Sequence, residues 1–351
     1  MINNIESTVV STRVRLARNL AGYPFPNRLE SEAQAREIVR MVQGAASRLR
    51  SFNLYYMNEI SEEVAQAICD DHLISTDLVA SSFGAALIDE EEAEEPHGKF
   101  SIMVNEEDHL REQYILRGLN LPLAYKKISA VDDELSRSLP FAFDGQLGYL
   151  TACPTNLGTG LRASVMLFLP GLTRTDKIEP LVAAVAEKGH TVRGVYGEGS
   201  AAEGYMYQVS NEVTIGYSEE QILEDVQGAV LEIVRLESQA RKALRAGDTI
   251  GLKDECCRAV GILSHCERIS YAEFLQLASS VKLGAALGFL DISEFSWLDD
   301  FISSMRPANL SLFTDVELTP AERDVYRARE CRNTFAGVRR SEESGKKRSK
   351  I

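Results

Sequence analysis

The chain reads as an α+β protein: an antiparallel β-sheet flanked by helices, followed by a helical C-terminal domain. Three observations predict this. Period-two segments crowd the first two-thirds of the sequence. They do not alternate regularly with helical segments, which disfavours a doubly wound parallel sheet. From Ser218 onward the apolar residues recur at helical spacing.

A strand at 6–17 comes first, with β-branched residues interleaved with polar ones. Further strands are predicted at 83–88, 99–105, 147–152, 164–169, 191–196, 205–209 and 212–216. The acidic run 89–95, then Pro96, His97 and Gly98, reads as a solvated hairpin loop. Helices are expected over 30–49, 61–71, 119–136 and 174–188. Ser218 and Gln221 give a capping-box signal. Ile222, Val226, Val230, Ile233 and Val234 continue that helix, and Gly247 after Arg241, Lys242 and Arg245 stops it. This places a boundary near residue 245. Residues 1–245 form one domain, 246–338 a helical one, and 339–351 a polar basic tail expected to be disordered.

Composition limits the function classes. A chain of 351 residues can bury a large core. Its formal charge of −14 opposes broad affinity for nucleic acid or acidic membranes. The longest apolar run, Val165 to Leu172, is too short to span a bilayer and reads as a buried strand. No secretory signal is visible at the N-terminus. Six cysteines in a chain this long are not a disulfide framework, so a reduced cytoplasmic protein is expected.

Four short stretches carry the chemistry. They are Ser11-Thr-Arg-Val-Arg15, Asn105-Glu-Glu-Asp-His-Leu-Arg111, the segment Cys153 to Ser164, and Arg193-Gly-Val-Tyr-Gly-Glu198. Together they supply Arg13, Arg15, Arg111, Arg162 and Arg193, the carboxylates Glu107 and Glu198, and the thiol of Cys153. Arginine stays charged and offers phosphate a planar fork. Arg13 and Arg15 share a strand face by the period-two rule. A guanidinium substrate poses the opposite problem. With a pKa of about 12.5–13.8 it is cationic at neutral pH, so carboxylates must orient it and accept its proton. Near several arginines the Cys153 thiolate is favoured and can pair with the other edge of such a guanidinium. Gly158-Thr-Gly160 offers an amide-rich approach to phosphate. The glycine-rich loops of P-loop and dinucleotide-binding enzymes and the protein-kinase triplets are missing.

These motifs resemble those of the ATP:guanido phosphotransferases, the family of arginine kinase and creatine kinase. The resemblance implies an antiparallel sheet flanked by helices, with ATP as the phosphoryl donor and Mg2+ held mainly through ATP and water. It implies nucleotide contacts from Ser11, Thr12, Arg13, Val14 and Arg15, from His72 and Arg111, from Arg162, Ala163, Ser164, Val165 and Met166, and from Arg193, Gly194, Val195, Tyr196, Gly197 and Glu198. Glu107 is then the catalytic carboxylate, with Glu198 and Cys153 holding the guanidinium.

The motif strand begins at residue 11, with no preceding helical domain to enclose a free amino acid. That, and Arg323-Asp-Val-Tyr-Arg-Ala328, resemble the bacterial protein arginine kinases. The resemblance implies phosphorylation of arginine in proteins, marking them for Clp-type proteolysis. It also implies an allosteric phosphoarginine pocket at Arg323, Asp324 and Arg327, an activator protein, a Clp protease or unfoldase partner, and a homodimer built through the C-terminal domain. Lys282 stands where that family is expected to have arginine. The rival readings are a kinase for a free guanidino compound and a non-catalytic phosphoarginine-binding adaptor. Cys256, Cys257, His265 and Cys266 fit neither common zinc spacing, so no metal site is expected and they read as helix core. Trp297 also reads as core.

Overall fold

The computed structural model describes residues 4–89, 98–194, 202–312 and 318–341. The elements run β1 (Val9–Arg18), α1 (Glu32–Ala46), β2 (Phe52–Tyr56), α2 (Glu62–Asp70), α3 (Thr76–Val79), β3 (Ala85–Asp89), β4 (Gly98–Val104) and β5 (Leu110–Arg117). Then come α4 (Leu121–Ser136), the ribbon of β6 (Phe143–Asp144) and β7 (Gly148–Tyr149), β8 (Leu161–Phe168), α5 (Pro170–Arg174), α6 (Ile178–Ala186), β9 (His190–Gly194) and β10 (Met206–Asn211). The long α7 (Glu219–Gly247) leads into α8 (Thr249–Leu263), α9 (Tyr271–Ala286), β11 (Leu290–Asp291), α10 (Phe295–Ser304), α11 (Pro307–Leu312), α12 (Pro320–Phe335) and β12 (Arg339–Arg340).

One eight-stranded antiparallel sheet has the order β2-β3-β4-β5-β1-β8-β10-β9. The motif strand β1 lies inside it, paired with β5 on one side and β8 on the other. Its alternation decides the architecture. Val14 and Leu16 are fully buried in the main core, which also holds Ile128 of α4 and Val226 of α7. Burial of each such side chain contributes about 1.5–3 kcal/mol. Ser11, Arg13 and Arg15 therefore point to the opposite face. A second core, around Phe274, Leu298 and Phe335, holds the C-terminal helices together. Among the described residues, no helix is long and apolar enough to cross a membrane.

A buried ion pair joins sheet and helices. Glu237 of α7 accepts the backbone N–H groups of Gly171 and Leu172 at 2.8 and 2.9 Å. It also accepts Arg241 Nε at 2.6 Å. Arg241 in turn donates to Ser7 Oγ and to the carbonyls of Ser7 and Phe168. The turn leaving β8 is thus fixed to α7 by charge-assisted bonds.

Several sequence expectations are corrected. Strands β2 and β5 had no sequence signal. In β5, Glu112 faces the core and is fully buried, so the polar run Arg111-Glu112-Gln113 hides the alternation. Residues 212–216 form no strand. Thr214 there turns inward and donates to the carbonyls of Thr155 and Leu157. Of 147–152 only Gly148 and Tyr149 pair as strand. The run Val165–Leu172 ends as a strand at Phe168, because Pro170 opens α5. The helix expected over 174–188 is broken at Asp176, which has φ of 54°. Arg339 and Arg340 are not disordered but pair with Leu290 and Asp291. The remainder of that tail, 342–351, lies outside the described residues, as does most of the acidic loop, 90–97. Trp297 is partly buried and packs on Phe335. Cys256 is wholly buried, and no metal-binding cluster of His, Cys, Asp or Glu occurs among the described residues.

Replacing Glu237 with alanine should leave Arg241 charged and uncompensated in the core. The expected loss is about 3–5 kcal/mol. It should appear as a lower urea midpoint with an unchanged m-value. An unchanged midpoint would show that this pair does not hold sheet to helix.

Candidate functional site

Strand register builds the site. Directly opposite residues of an antiparallel pair share a face. Arg15 stands opposite Arg162 of β8 and Gln113 of β5, while Ala17 stands opposite Arg111. Arg13 stands opposite Ser164, Ser164 opposite Ser210, and Gln208 opposite Arg193 of β9. Arg13, Arg15, Arg111, Arg162 and Arg193 thus share one sheet face, spread over five adjacent strands. Ser11 and Met166, also opposite each other, extend it. Thr12, Val14, Ala163 and Val165 alternate to the core face, so their side chains do not look toward the arginines. Thr12 Oγ1 instead donates to the Gly118 carbonyl at 2.7 Å.

Like charges opposite one another are destabilising. Burial, and then the guanidinium groups of Arg13, Arg111 and Arg162, hold Arg15 well below its ordinary pKa. Burial, Arg193 and Arg111 lower Arg162 as well. Nε of Arg15 and Nε of Arg162 are buried, with no hydrogen-bond partner among the described residues. Arg13 donates to Gln208 Oε1 at 2.5 Å and Arg162 to Ser210 Oγ at 3.2 Å. This face is short of negative charge and of acceptors, the condition a polyanion relieves.

The loop from Asn105 to Arg111 is built so that one carboxylate stays available. Asn105 has φ of 57°, and its Nδ2 donates to the Ala35 carbonyl at 3.0 Å. Asp108 is buried and accepts Asn19 Nδ2 and the Ala152 N–H at 2.6 and 2.7 Å. His109 accepts the Leu20 N–H and bonds the Pro24 carbonyl, and burial pushes its pKa down to about 4. Glu106, nearly buried, holds Arg111 Nη1 at 2.6 and 2.7 Å and accepts the Ser75 hydroxyl. Glu107 remains. Its side chain is 43 % exposed and stands 3.9 Å from Arg111 Nη2. Burial raises its pKa against the pull of Arg111.

The same loop fixes the cysteine. Asp108 holds Ala152, the neighbour of Cys153. Cys153 is half-buried, with Sγ 3.0 Å from Thr155 Oγ1. The glycines beyond it have structural causes. A Cβ on Gly160 (φ of 65°) would lie 2.5 Å from Arg18 Nη1, and one on Gly158 2.8 Å from the Thr214 carbonyl. Arg18, paired with Asp132 through two bonds, donates to the Thr159 carbonyl and anchors the loop from below.

His72 also joins the face. Its φ is 62°, its carbonyl accepts Gln113 Nε2, and burial, then Arg13, Arg306 and Lys99, lower its pKa to about 3. Arg193 and Gly194 end β9, but Val195, Tyr196, Gly197 and Glu198 lie outside the described residues. Sequence reasoning missed Glu106, Asp108, Asn19 and Gln208. Only Glu106 had a signal, as a second glutamate beside Glu107.

The C-terminal motif is elsewhere. Thr319 and Glu322 form a capping box at the start of α12. Arg327 is buried and donates to the carbonyls of Met305 and Ile269 and to Asp324 Oδ1. It is a strut between helices. Asp324 is partly exposed, and Arg323 reaches Ser311 Oγ at 3.4 Å. Lys282 is buried, paired with Asp299, and lies 4.7 Å from the Phe168 ring centre.

Residues 34–240 match the ATP:guanido phosphotransferase C-terminal catalytic domain, and residues 249–346 match the protein-arginine kinase McsB C-terminal domain. The chain is similar to the protein-arginine kinase of Halothermothrix orenii, at 41% identity over 91% of this chain and 90% of that protein. It is similar to the protein-arginine kinase of Caldanaerobacter subterraneus at 40% identity, covering 93% and 97%. Among solved structures, a lombricine kinase aligns at 27% identity with a TM-score of 0.56, covering 69% of this chain and 68% of that one. The fold is also that of a duplicated taurocyamine kinase from Schistosoma mansoni, at 22% identity and a TM-score of 0.60, covering 82% of this chain and 47% of that one.

Substituting Arg162 with methionine should relieve repulsion of Arg15. In phosphate-free buffer the protein should gain on the order of 0.5–2 kcal/mol. The stabilisation that inorganic tripolyphosphate gives the wild type should disappear. A loss of stability, with the tripolyphosphate effect intact, would contradict the charge-crowding account.

Proposed function

The chain belongs to the ATP:guanido phosphotransferase family, and from that premise we propose that it transfers the γ-phosphoryl group of ATP to the guanidinium of arginine residues in proteins. It is a kinase. The observation that carries the reading is the arginine face, with Glu107 the exposed carboxylate beside it.

The arginines hold the triphosphate and neutralise the charge that spreads over the equatorial oxygens in the transition state. The two buried, unpartnered Nε atoms fit that ligand. Magnesium, when bound with ATP, would supply further neutralisation of the phosphates. Glu107 orients the incoming guanidinium and accepts its proton as nitrogen attacks phosphorus. Cys153 and Glu198 hold the guanidinium in place. The loop bonds of Asp108 keep Glu107 and Cys153 in fixed relation, which proximity catalysis requires.

The relatives' name, protein-arginine kinase, and their coverage of nearly the whole chain favour a protein substrate over free arginine. We extend the proposal to a catalytic unit ending near 245, with a C-terminal unit that supports a homodimer. Arg323 and Asp324 are the candidate phosphoarginine contacts, with Arg327 supporting Asp324 from within. A cytoplasmic setting, an activator and a Clp partner complete this reading.

The test offers ATP with either an unfolded protein or free arginine, and detects acid-labile phosphate by mass spectrometry. Modified arginines in the protein are expected. Glu107→Ala should lower turnover by about 10²–10⁴-fold with ATP binding kept. Equal turnover in a folded Glu107→Ala protein would remove the glutamate from the chemistry. A pH profile gives a second check. Glu107 must be ionised to act and its pKa is raised, so kcat/KM should fall as pH drops through that value. Glu107→Gln should flatten this acid limb; an acid limb that survives the substitution belongs to another group.

A further inference from the structure

On the core side of the sheet, away from the arginine face, three ionisable side chains meet out of water. Glu112 of β5 stands opposite Leu16 of β1 and Ile102 of β4 and shares their core face. It is fully buried, and Arg18 and Asp132 are only 2 % and 6 % exposed. Asp132 of α4 accepts Arg18 Nε and Nη2 at 2.9 and 2.7 Å. Neither oxygen of Glu112 meets an N–H or O–H group among the described residues. The side chain within bonding reach of it is the Asp132 carboxylate.

Two carboxyl groups can bond to each other only when one carries a proton. The charged groups acting on Glu112 are Arg18, Asp132 and Asp133. Tyr125 of α4 and Tyr149 of β7 adjoin Arg18 and Asp132 as uncharged phenols, and Glu219 at the start of α7 adds only further negative charge. One guanidinium against two buried carboxylates would leave a surplus negative charge in the core, which is costly. Burial, then Asp132, raise the Glu112 pKa well above the carboxylate range, against the pull of Arg18.

Arg18 connects this cluster to the chemistry. Its guanidinium carbon lies 3.5 Å from the Tyr149 ring centre, and its Nη1 donates to the Thr159 carbonyl at 3.0 Å. Tyr149 and Gly158 exchange backbone bonds of 2.8 and 3.4 Å, which close the neck of the loop that carries Cys153. Arg18 thus braces both sides of that neck, and Asp132 braces Arg18.

We propose that Glu112 is an un-ionised acid whose hydroxyl bonds Asp132, and that through Asp132 and Arg18 it is a positioning residue for the Cys153 loop. This rests on the reading of Cys153 as a contact of the guanidinium. Ionisation of Glu112 would set two carboxylates against each other, draw Arg18 between them and loosen the neck.

Infrared difference spectra, spectroscopy-free linkage and kinetics test the two halves on the full chain. At neutral pH in deuterated water, wild type should show the carbonyl band of an un-ionised carboxylic acid that Glu112→Gln lacks. The folded protein then keeps a proton that the unfolded chain releases above about pH 4.3. Wild-type stability relative to Glu112→Gln should therefore be greatest below that pH and fall as pH rises, about tenfold in the unfolding constant per pH unit. No band difference, with parallel stability curves, would mean an ionised Glu112 and overturn the proposal. Glu112→Met removes the hydroxyl. Its turnover on a protein substrate should fall on the order of ten- to a hundredfold, with ATP affinity kept, while Glu112→Gln, which still offers Asp132 an N–H, should keep wild-type turnover. Full turnover in Glu112→Met would overturn the positioning role. If that variant does not fold, Tyr149→Leu, which removes the ring under which Arg18 stacks, decides: lower turnover with ATP affinity kept supports the role, and unchanged turnover contradicts it. Wild-type turnover in Cys153→Ser would remove the Cys153 reading, and the positioning role with it, while leaving the spectra and the linkage as they are.

Discussion

Cross-strand register is the constraint on which the site depends. Antiparallel pairing of β1 with β5 and β8 brings guanidinium groups of the same sign onto one face, with Arg15 directly opposite Arg162. No single arginine could refuse that neighbour without a one-residue slip, and a slip would turn Val14 and Leu16 out of the core. Core packing therefore enforces the electrostatic crowding. The free protein carries that crowding as a local instability, which a bound polyphosphate would remove. Binding strength and strain in the empty state would then have the same source.

The candidate reactive groups are supported differently. Glu107 and Cys153 sit on separate loops, and Asp108 ties them by bonding both Asn19 and the Ala152 amide. Glu106 fixes Arg111, while Arg18 with Asp132 holds the Thr159 carbonyl. These are buried, multiply bonded polar networks, which rigidify when every member is satisfied. The seven-residue stretch Asn105–Arg111 around Glu107 is thus largely scaffold. Its tight geometry leaves one carboxylate to face the open side.

How far the sequence reveals this depends on the kind of information. The period-two rule set the face of Arg13 and Arg15, because it needs only one strand. Bringing Arg111 and Arg193 onto the same face needs four pairing registers, which are long-range facts. Strand β5 escaped notice because buried Glu112 breaks the pattern that marks a strand. The resemblance names the whole run Ser11–Arg15 as nucleotide contacts, whereas alternation sends the side chains of Thr12 and Val14 inward. The resemblance, not the spacing, gave Arg327 a place in a phosphoarginine pocket; the structure buries it among three acceptors, as a strut between helices. The junction of the sheet with the C-terminal helices had no sequence signal, since it forms only through tertiary contacts such as Asp71 with Ser303.

The central claim is that the buried Nε–H groups of Arg15 and Arg162 are donors awaiting phosphate oxygens. Guanidinium NMR measures this directly. With both Nε–H resonances assigned by substitution, saturating Mg-ATP should move each to the downfield position of a charge-assisted hydrogen bond and slow its exchange with water. Adenosine alone should move neither. Resonances that stay in place at saturating Mg-ATP would contradict the account, because the triphosphate would then be held somewhere other than the arginine face.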